Sequence, residues 1–78
     1  MTTELEQTLE RLRADGFYVS AFLETDSRGA AHLLGWTRAY LANRRAAGAP
    51  LPPGHRFGRS WLYRVADVIE WRRSREVA

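Results

Sequence analysis

Two short helix patterns follow one another between Asp26 and Gly48, and each carries its own start and stop signal. The side chains of Asp26 and Thr37 can accept hydrogen bonds from the unpaired N–H groups at the beginning of a helix. Gly35 and Gly48 readily adopt the left-handed conformation that ends a helix. Because so few residues join the two helices, the pattern predicts a helix-turn-helix.

A β-hairpin is predicted after these two helices. Residues 49–54 contain all three prolines of the chain, which remove backbone donors and fix φ, so we expect a stiff connector there. Residues 55–63 then place Gly58 and Arg59 between two extended pieces, as a hairpin turn would.

The last part of the chain predicts a strand face and a helix that close the core. Alternation puts Trp61 and Tyr63 on the face that we expect to meet the core, and Leu62 on the other face. A final helix is expected from about Arg64. It presents its apolar side chains to one side: Val65, Val68, Ile69 and Trp71.

The first segment predicts a separate amphipathic helix over residues 4–15. Thr3 can cap this helix, Glu6 can complete a capping box, and Gly16 can end it. Its leucines recur at spacings of four and three, which places an apolar stripe on one face: Leu5, Leu9 and Leu12. This stripe must be buried either against the rest of the chain or by self-association with a neighbouring copy.

Residues 17–23 (FYVSAFL) are apolar and aromatic but show no clear period. They form either a short strand or a lead into the next helix, and periodicity does not decide between the two. The whole chain is long enough for one hydrophobic core. We divide it into an acidic amphipathic helix with its connector in residues 1–24 and the main domain in residues 25–78.

Charge is distributed unevenly along the chain. Residues 1–26 carry six acids and two arginines, a net charge of −4, whereas residues 27–78 carry ten arginines and three acids, a net charge of +7. Arginine binds phosphate through a planar fork and also reads guanine edges. The C-terminal part therefore suits nucleic acid, and a solvated basic surface is the alternative.

Several classes of protein are not indicated by the sequence. Cysteine is absent and His32 and His55 lie far apart, so we expect neither a metal site nor a cofactor. Because no nucleophile has a partner base and no glycine-rich phosphate loop precedes a helix, we expect no enzymatic activity. No apolar run approaches the roughly 20 residues that span a bilayer, and the start lacks a signal-peptide pattern. We therefore expect a cytoplasmic location.

The stretch AAHLLGWTRAYLANRRAAG, followed by the proline-rich connector and HRFGRSWLYRVADVIEW, resembles the excisionase and AlpA group of MerR-like winged helix-turn-helix proteins. The resemblance covers residues 26–71. It rests on nine positions taken in order: Ala30, Ala31, Leu34, Gly35, Thr37, Gly48, Gly58, Asp67 and Trp71. It implies a mainly α fold with a small β-hairpin wing, here a winged helix-turn-helix with an extra N-terminal helix.

The resemblance also implies a surface that binds double-stranded DNA. The outward residues of the recognition helix would enter the major groove: Thr37, Arg38, Ala39, Tyr40, Ala42 and Asn43. We expect Arg38 to pair with guanine and Asn43 with adenine. Phosphate contacts are expected from three further arginines: Arg28, Arg44 and Arg45. The residues expected to bind at the wing are His55, Arg56, Gly58 and Arg59.

Two functions share such a surface. An excisionase, or recombination directionality factor, binds beside a phage attachment site cooperatively, in several copies that can form a head-to-tail filament. It bends the DNA and helps a phage integrase to excise. An AlpA-like transcription regulator differs in its genomic target. A third function, from another class, is a protein-interaction module with solvated arginines. Because the chain is short and carries an extra acidic helix, we favour the excisionase, acting at the nucleoid of a bacterial cell.

Overall fold

The computed structural model describes residues 3–76, apart from the side chain of Glu76. Within this range, the chain folds into four helices and a small three-stranded antiparallel sheet. In chain order the elements are α1 (Glu4–Ala14), β1 (Glu24–Asp26), α2 (Ser27–Leu34), α3 (Arg38–Ala47), β2 (His55–Phe57), β3 (Ser60–Arg64) and α4 (Val65–Glu76).

The predicted limits of α2 and α3 are confirmed by their capping hydrogen bonds. The N–H of Gly29 donates to Oδ1 of Asp26 at 3.0 Å, and the N–H of Tyr40 donates to Oγ1 of Thr37 at 3.0 Å. Each helix ends at a glycine in the left-handed conformation: Gly35 (φ 73°) and Gly48 (φ 70°). These local signals fix where the two helices stop and leave residues 35–37 to connect them.

The predicted hairpin is also confirmed, and a third strand extends it. β2 and β3 pair on either side of a turn at Gly58, whose φ is 63°. β1 pairs with the other edge of β3, with Thr25 opposite Tyr63, so the strand order is β1-β3-β2. β1 was not predicted from the sequence, because a three-residue strand with two charged residues gives no alternating apolar signal.

Residues 17–23 form neither of the two elements that we considered for them. They make an irregular loop with a turn that leads into β1, so the expectations of a strand and of a helical lead are both wrong. The Oγ1 of the buried Thr25 donates to the carbonyl oxygen of Tyr18 at 2.8 Å and fastens this loop to the sheet. The predicted boundary between the N-terminal segment (residues 1–24) and the main domain (residues 25–78) therefore falls inside β1.

The main core lies between the sheet and the helices. Tyr63 is buried there, and Trp61 packs against the same cluster, which confirms the predicted inward face of β3. The other members of this cluster are small or aliphatic: Ala30, Ala31, Leu41 and Val68. Leu62 points to the opposite face of the sheet and is buried as well. Because Leu41 is fully buried, it fixes which side of α3 faces outward.

A second cluster joins α1 to the rest of the chain. Leu9 and Leu12 are 5% and 0% exposed and pack with Val65 of α4, while Leu5 is half-buried beside them. The apolar stripe is thus covered by the chain's own core, which is the first of the two alternatives. The prediction that these leucines bind a neighbouring copy is therefore wrong, because their buried side chains offer little apolar surface to a second copy.

Candidate nucleic-acid interface

A groove of about 290 Å³ lies between the hairpin turn, the start of α2 and the N-terminal half of α3. Four arginines and one aspartate line it, together with four uncharged residues. We call it the arginine groove, and its members are Asp26, Ser27, Arg28, Arg38, Ala42, Arg45, Arg59, Ser60 and Trp61. The carboxylate of Asp26 already caps α2. The lining therefore has a formal charge of +3, which attracts anions.

Two arginine side chains of this groove have no partner inside the fold. Arg38 and Arg59 are exposed, and neither side chain forms a hydrogen bond or an ion pair within residues 3–76. Arg38 is the first residue of α3, at the positive end of the helix dipole, where a cation is not stabilised by the helix. Folding therefore does not account for Arg38 at this position, whereas a bound anion would.

Arg28 stands at the edge of the groove near the beginning of α2. Its guanidinium carbon lies 5.3 Å from the centre of the Phe17 ring, which itself stacks on His32 at 4.5 Å. The Phe17 ring thus contacts one side of the guanidinium, and no carboxylate of residues 3–76 pairs with it. Arg28 can therefore still bind a phosphate, as the sequence analysis predicts.

The outward face of α3 is small and polar. Ala39, Ala42 and Asn43 are exposed on the side of the helix away from the buried Leu41. Two alanines leave room for the helix axis to approach a flat or grooved surface closely, and Asn43 adds an amide with one donor and one acceptor group. This face is continuous with the arginine groove through Ala42.

Tyr40 lies at the margin of this face and is held by its neighbours. Its ring is 46% exposed and meets the edge of Trp36 at 5.1 Å between ring centres. Its hydroxyl accepts a hydrogen bond from Nη1 of Arg44 at 3.3 Å. Tyr40 is therefore a fixed border of the surface rather than part of its centre.

Arg44 serves the fold, in contrast to its predicted role as a phosphate contact. Its Nη2 donates to the carbonyl oxygen of Pro50 at 2.8 Å, and its guanidinium lies 5.0 Å from the centre of the Trp36 ring. Arg44 thereby ties the C-terminal end of α3 to the proline-rich connector. A second cation–π contact reaches Tyr40 at 5.6 Å. A phosphate would have to displace these contacts.

Arg45 is used in the same way, although it lies at the floor of the arginine groove. Its Nη2 donates to the hydroxyl of Tyr63 and to Oγ of Ser27. The guanidinium also lies 4.5 Å from the centre of the Trp61 ring. Arg45 thus links α3 to the sheet and to α2, and a phosphate that bound it directly would have to compete with these contacts.

The predicted wing residues separate into two groups. Gly58 and Arg59 form the hairpin turn, and Arg59 reaches the arginine groove. The Nε of Arg56 donates to the carbonyl oxygen of Gly58 at 3.2 Å, which braces the turn. His55 lies on the opposite face of the sheet, where its Nε2 is 3.4 Å from a carboxylate oxygen of Glu24. The structure therefore does not bring His55 together with the other site residues.

The three arginines near the end of α4 have contacts within the fold, and two of them hold α4 to the helices around it. Nη1 of Arg72 donates to the carbonyl oxygen of Leu33 at 2.8 Å, and Arg73 pairs with Glu4 of α1. Arg75 lies over the ring of Trp71 at 4.9 Å. These contacts explain the C-terminal arginine cluster without a ligand.

Four members of the arginine groove were not predicted as site residues: Asp26, which was predicted only as a helix cap, Ser27, Ser60 and Trp61. Neither serine carries a local signal, because the groove forms only when β1 brings the start of α2 against β3. Trp61 was expected on the core-facing side of β3, and its half-buried ring also forms a wall of the groove. The missed residues therefore depend on strand pairing rather than on sequence spacing.

Comparisons with protein-family models, with curated proteins and with solved structures find no match to this chain. Within residues 3–76, no three histidine, aspartate or glutamate side chains are grouped so that they could hold a metal ion. No helix in that range is both long and apolar enough to cross a membrane. Any functional assignment therefore has to start from the geometry of the arginine groove.

Proposed function

We propose that this chain binds double-stranded DNA through the arginine groove and the outward face of α3. In this proposal α2 and α3 act as a helix-turn-helix, and the β2–β3 hairpin acts as its wing. The observation that carries it is the meeting of Arg38 and Arg59 in one groove, since neither has a partner in the described chain. Unpaired arginines from two separate elements provide the convergent positive charge that a phosphate backbone requires.

The dimensions of α3 suit the major groove of DNA. An α-helix with its side chains is about 10–12 Å across, which fits a major groove about 12 Å wide. The ten residues of α3 make it about 15 Å long. With its N-terminal end directed at the bases, Arg38 would donate two hydrogen bonds to guanine and Asn43 would pair with adenine. Ala39 and Ala42 would allow the close approach that these contacts need.

The hairpin turn would bind next to α3. Arg59 would contact phosphates or enter the adjacent minor groove, and Gly58 leaves the turn narrow enough to do so. Arg28 would neutralise a phosphate on the other side of the arginine groove. These contacts position the protein without reading the sequence, whereas the α3 contacts carry the base preference.

Among DNA-binding functions, we propose that of an excisionase acting with a phage integrase. The support is the resemblance of residues 26–71 together with the small size of the surface, which favours several copies side by side on one DNA. Neighbouring copies would meet through the exposed acids of α1, Glu6 and Glu10, and the arginines of the next copy. Because the leucine stripe of α1 is buried, this contact would be electrostatic and sensitive to salt.

The test is a gel-shift titration on duplex fragments tiled across the DNA that flanks the coding sequence of this chain. The expected result is a salt-sensitive ladder of successive complexes on one fragment. The double variant Arg38→Ala, Arg59→Ala should lose most of the affinity. Its matched control is Arg11→Ala, Arg13→Ala, which removes the same charge from the exposed face of α1.

Each outcome of this titration separates one function from the others. A single shifted band at a promoter would favour a transcription regulator over an excisionase. Equal losses of affinity in the two double variants would show that net charge, and not the arginine groove, drives binding. No shift on any fragment at low salt would contradict DNA binding and favour the protein-interaction module.

A further inference from the structure

The outer face of the sheet, opposite Tyr63, carries exposed aromatic side chains. Phe22, Phe57 and Tyr18 are 83%, 70% and 52% exposed, and they border a groove of about 730 Å³ in which Leu62 also takes part. Small soluble domains seldom group large exposed apolar side chains in one place, and such a patch marks an interaction site. We call it the aromatic face, with the members Tyr18, Ala21, Phe22, Phe57 and Leu62.

The loop that carries Phe22 is fixed by hydrogen bonds. Oγ of Ser20 accepts hydrogen bonds from the N–H groups of Phe22 and Glu24 at 3.2 and 3.1 Å. The N–H of Ser20 donates to the backbone carbonyl oxygen of Glu24 at 2.8 Å. Leu23 has a φ of 62°, a conformation that leucine rarely adopts, and its carbonyl oxygen accepts from Val65. The backbone therefore holds Phe22 outward, and little freedom is lost when a partner covers it.

The charges around the aromatic face differ in sign from those of the arginine groove. Two acidic residues and, among the described residues, no arginine line the aromatic face. The Glu24 side chain is 12% exposed and its carboxylate lies 3.4 Å from Nε2 of His55, while Asp26 caps α2 and also lines the arginine groove. Arg64 lies opposite Glu24 at the end of β3 away from the hairpin turn. With two acids and no arginine among the described residues of its lining, this face favours a cationic side chain over a phosphate.

A second copy of the chain fits this face poorly. Two aromatic faces packed symmetrically would put Glu24 and Asp26 of both copies into one interface. Like charges at a shared interface oppose association. A different partner, with apolar side chains next to basic ones, meets both features of the surface at once.

We propose that the aromatic face docks a segment of a partner protein that presents aromatic or aliphatic side chains flanked by arginine or lysine. Phe22 is the central anchor and Phe57 is the second. Asp26 and Ser60 line both grooves, whereas Phe22 and Phe57 line only the groove of the aromatic face, and Arg38 and Arg59 line only the arginine groove. Because the two sets of anchoring residues are separate, the chain can hold this segment and DNA together. This inference goes beyond DNA binding and does not require it.

The test begins with selection from a random peptide library on the immobilised full chain. The enriched peptides should combine aromatic or aliphatic residues with arginine or lysine. Fluorescence anisotropy with the labelled best peptide should show that Phe22→Ser weakens binding by about tenfold or more, as for an interface anchor. Phe57→Ser should weaken it less, and thermal unfolding should show both variants folded, because both side chains are largely exposed.

A matched pair of variants distinguishes this inference from the proposed function. Phe22→Ser should lose peptide binding and keep DNA binding, whereas Arg59→Ala should do the reverse. The inference is overturned if no peptide is enriched, or if the enriched peptides are acidic and respond to Arg59→Ala. It is also overturned if sedimentation shows a dimer that Phe22→Ser converts to a monomer, since the face would then belong to a second copy.

Discussion

The two ends of α3 carry the same residue type and use it in different ways. Arg38 is exposed at the first position and has no partner within residues 3–76, whereas Arg44 and Arg45 are half-buried and bound to the rest of the fold. The difference arises because the C-terminal half of α3 lies against the connector and the sheet. The number of arginines in such a helix therefore does not give the number of phosphate contacts.

The largest effect should come from Arg45→Ala. This change removes the hydrogen bonds to Tyr63 and Ser27 and the contact with the Trp61 ring, and it leaves the buried Tyr63 hydroxyl without this partner. We expect the free energy of unfolding to fall by about 3 kcal/mol. Chemical denaturation measures it, with Arg38→Ala as the control that should stay close to the parent. Equal losses in the two variants would remove the distinction between the two ends of α3.

Arg38→Ala should have the largest effect on DNA binding. Loss of a bidentate guanine contact should cost about 2 kcal/mol at the preferred sequence, which is roughly a 30-fold weaker affinity. Because non-specific phosphate contacts persist, affinity for unrelated sequences should change much less. Binding to a randomised set of duplexes measures both quantities. An unchanged base preference would exclude Arg38 from reading bases.

Arg44→Ala should have an intermediate effect, and on stability alone. The lost contacts are the hydrogen bonds to the carbonyl oxygen of Pro50 and to the hydroxyl of Tyr40, and the cation–π contacts with the rings of Trp36 and Tyr40. For their loss from this exposed surface we expect about 1.5 kcal/mol. Affinity for DNA, measured below the unfolding transition, should stay near that of the parent. If affinity fell strongly while stability held, Arg44 would be a phosphate contact after all.

Arg59→Ala should have the smallest effect and should act on all sequences alike. A lost phosphate contact at the hairpin turn should cost about 1 kcal/mol and lower the slope of log affinity against log salt by about 0.9. Titrations of two unrelated duplexes at several salt concentrations measure this change. A loss confined to one sequence would instead place Arg59 at a base edge.

Features encoded by neighbouring residues could be predicted from the sequence, and features that depend on distant pairing could not. Asp26, Thr37 and Gly35 act within a few residues of their own position, so the limits of α2 and the start of α3 follow from them directly. Strand β1 exists only because Thr25 pairs with Tyr63, thirty-eight positions later. The loop before it is shaped by that pairing, which explains why both expectations for residues 17–23 were wrong.

The same reason explains what was found and missed in the candidate site. Arg38 and Arg59 could be named from their positions at a helix start and in a hairpin turn. Arg44 binds the connector and Arg45 binds the sheet through tertiary contacts. The spacing of residues in the sequence could not predict these contacts. The aromatic face was missed because its aromatic residues come from separate segments that the sheet brings together.

The central claim is that DNA binds in the arginine groove, and the most direct measurement is a nuclear magnetic resonance titration that follows the arginine Nε–H signals. The full chain is titrated with a short duplex that it shifts in gels. We predict that the signals of Arg38 and Arg59 move most, while those of Arg11 and Arg13 on α1 stay in place. Movement confined to α1 or to the C-terminal arginines, with Arg38 and Arg59 unchanged, would contradict the account.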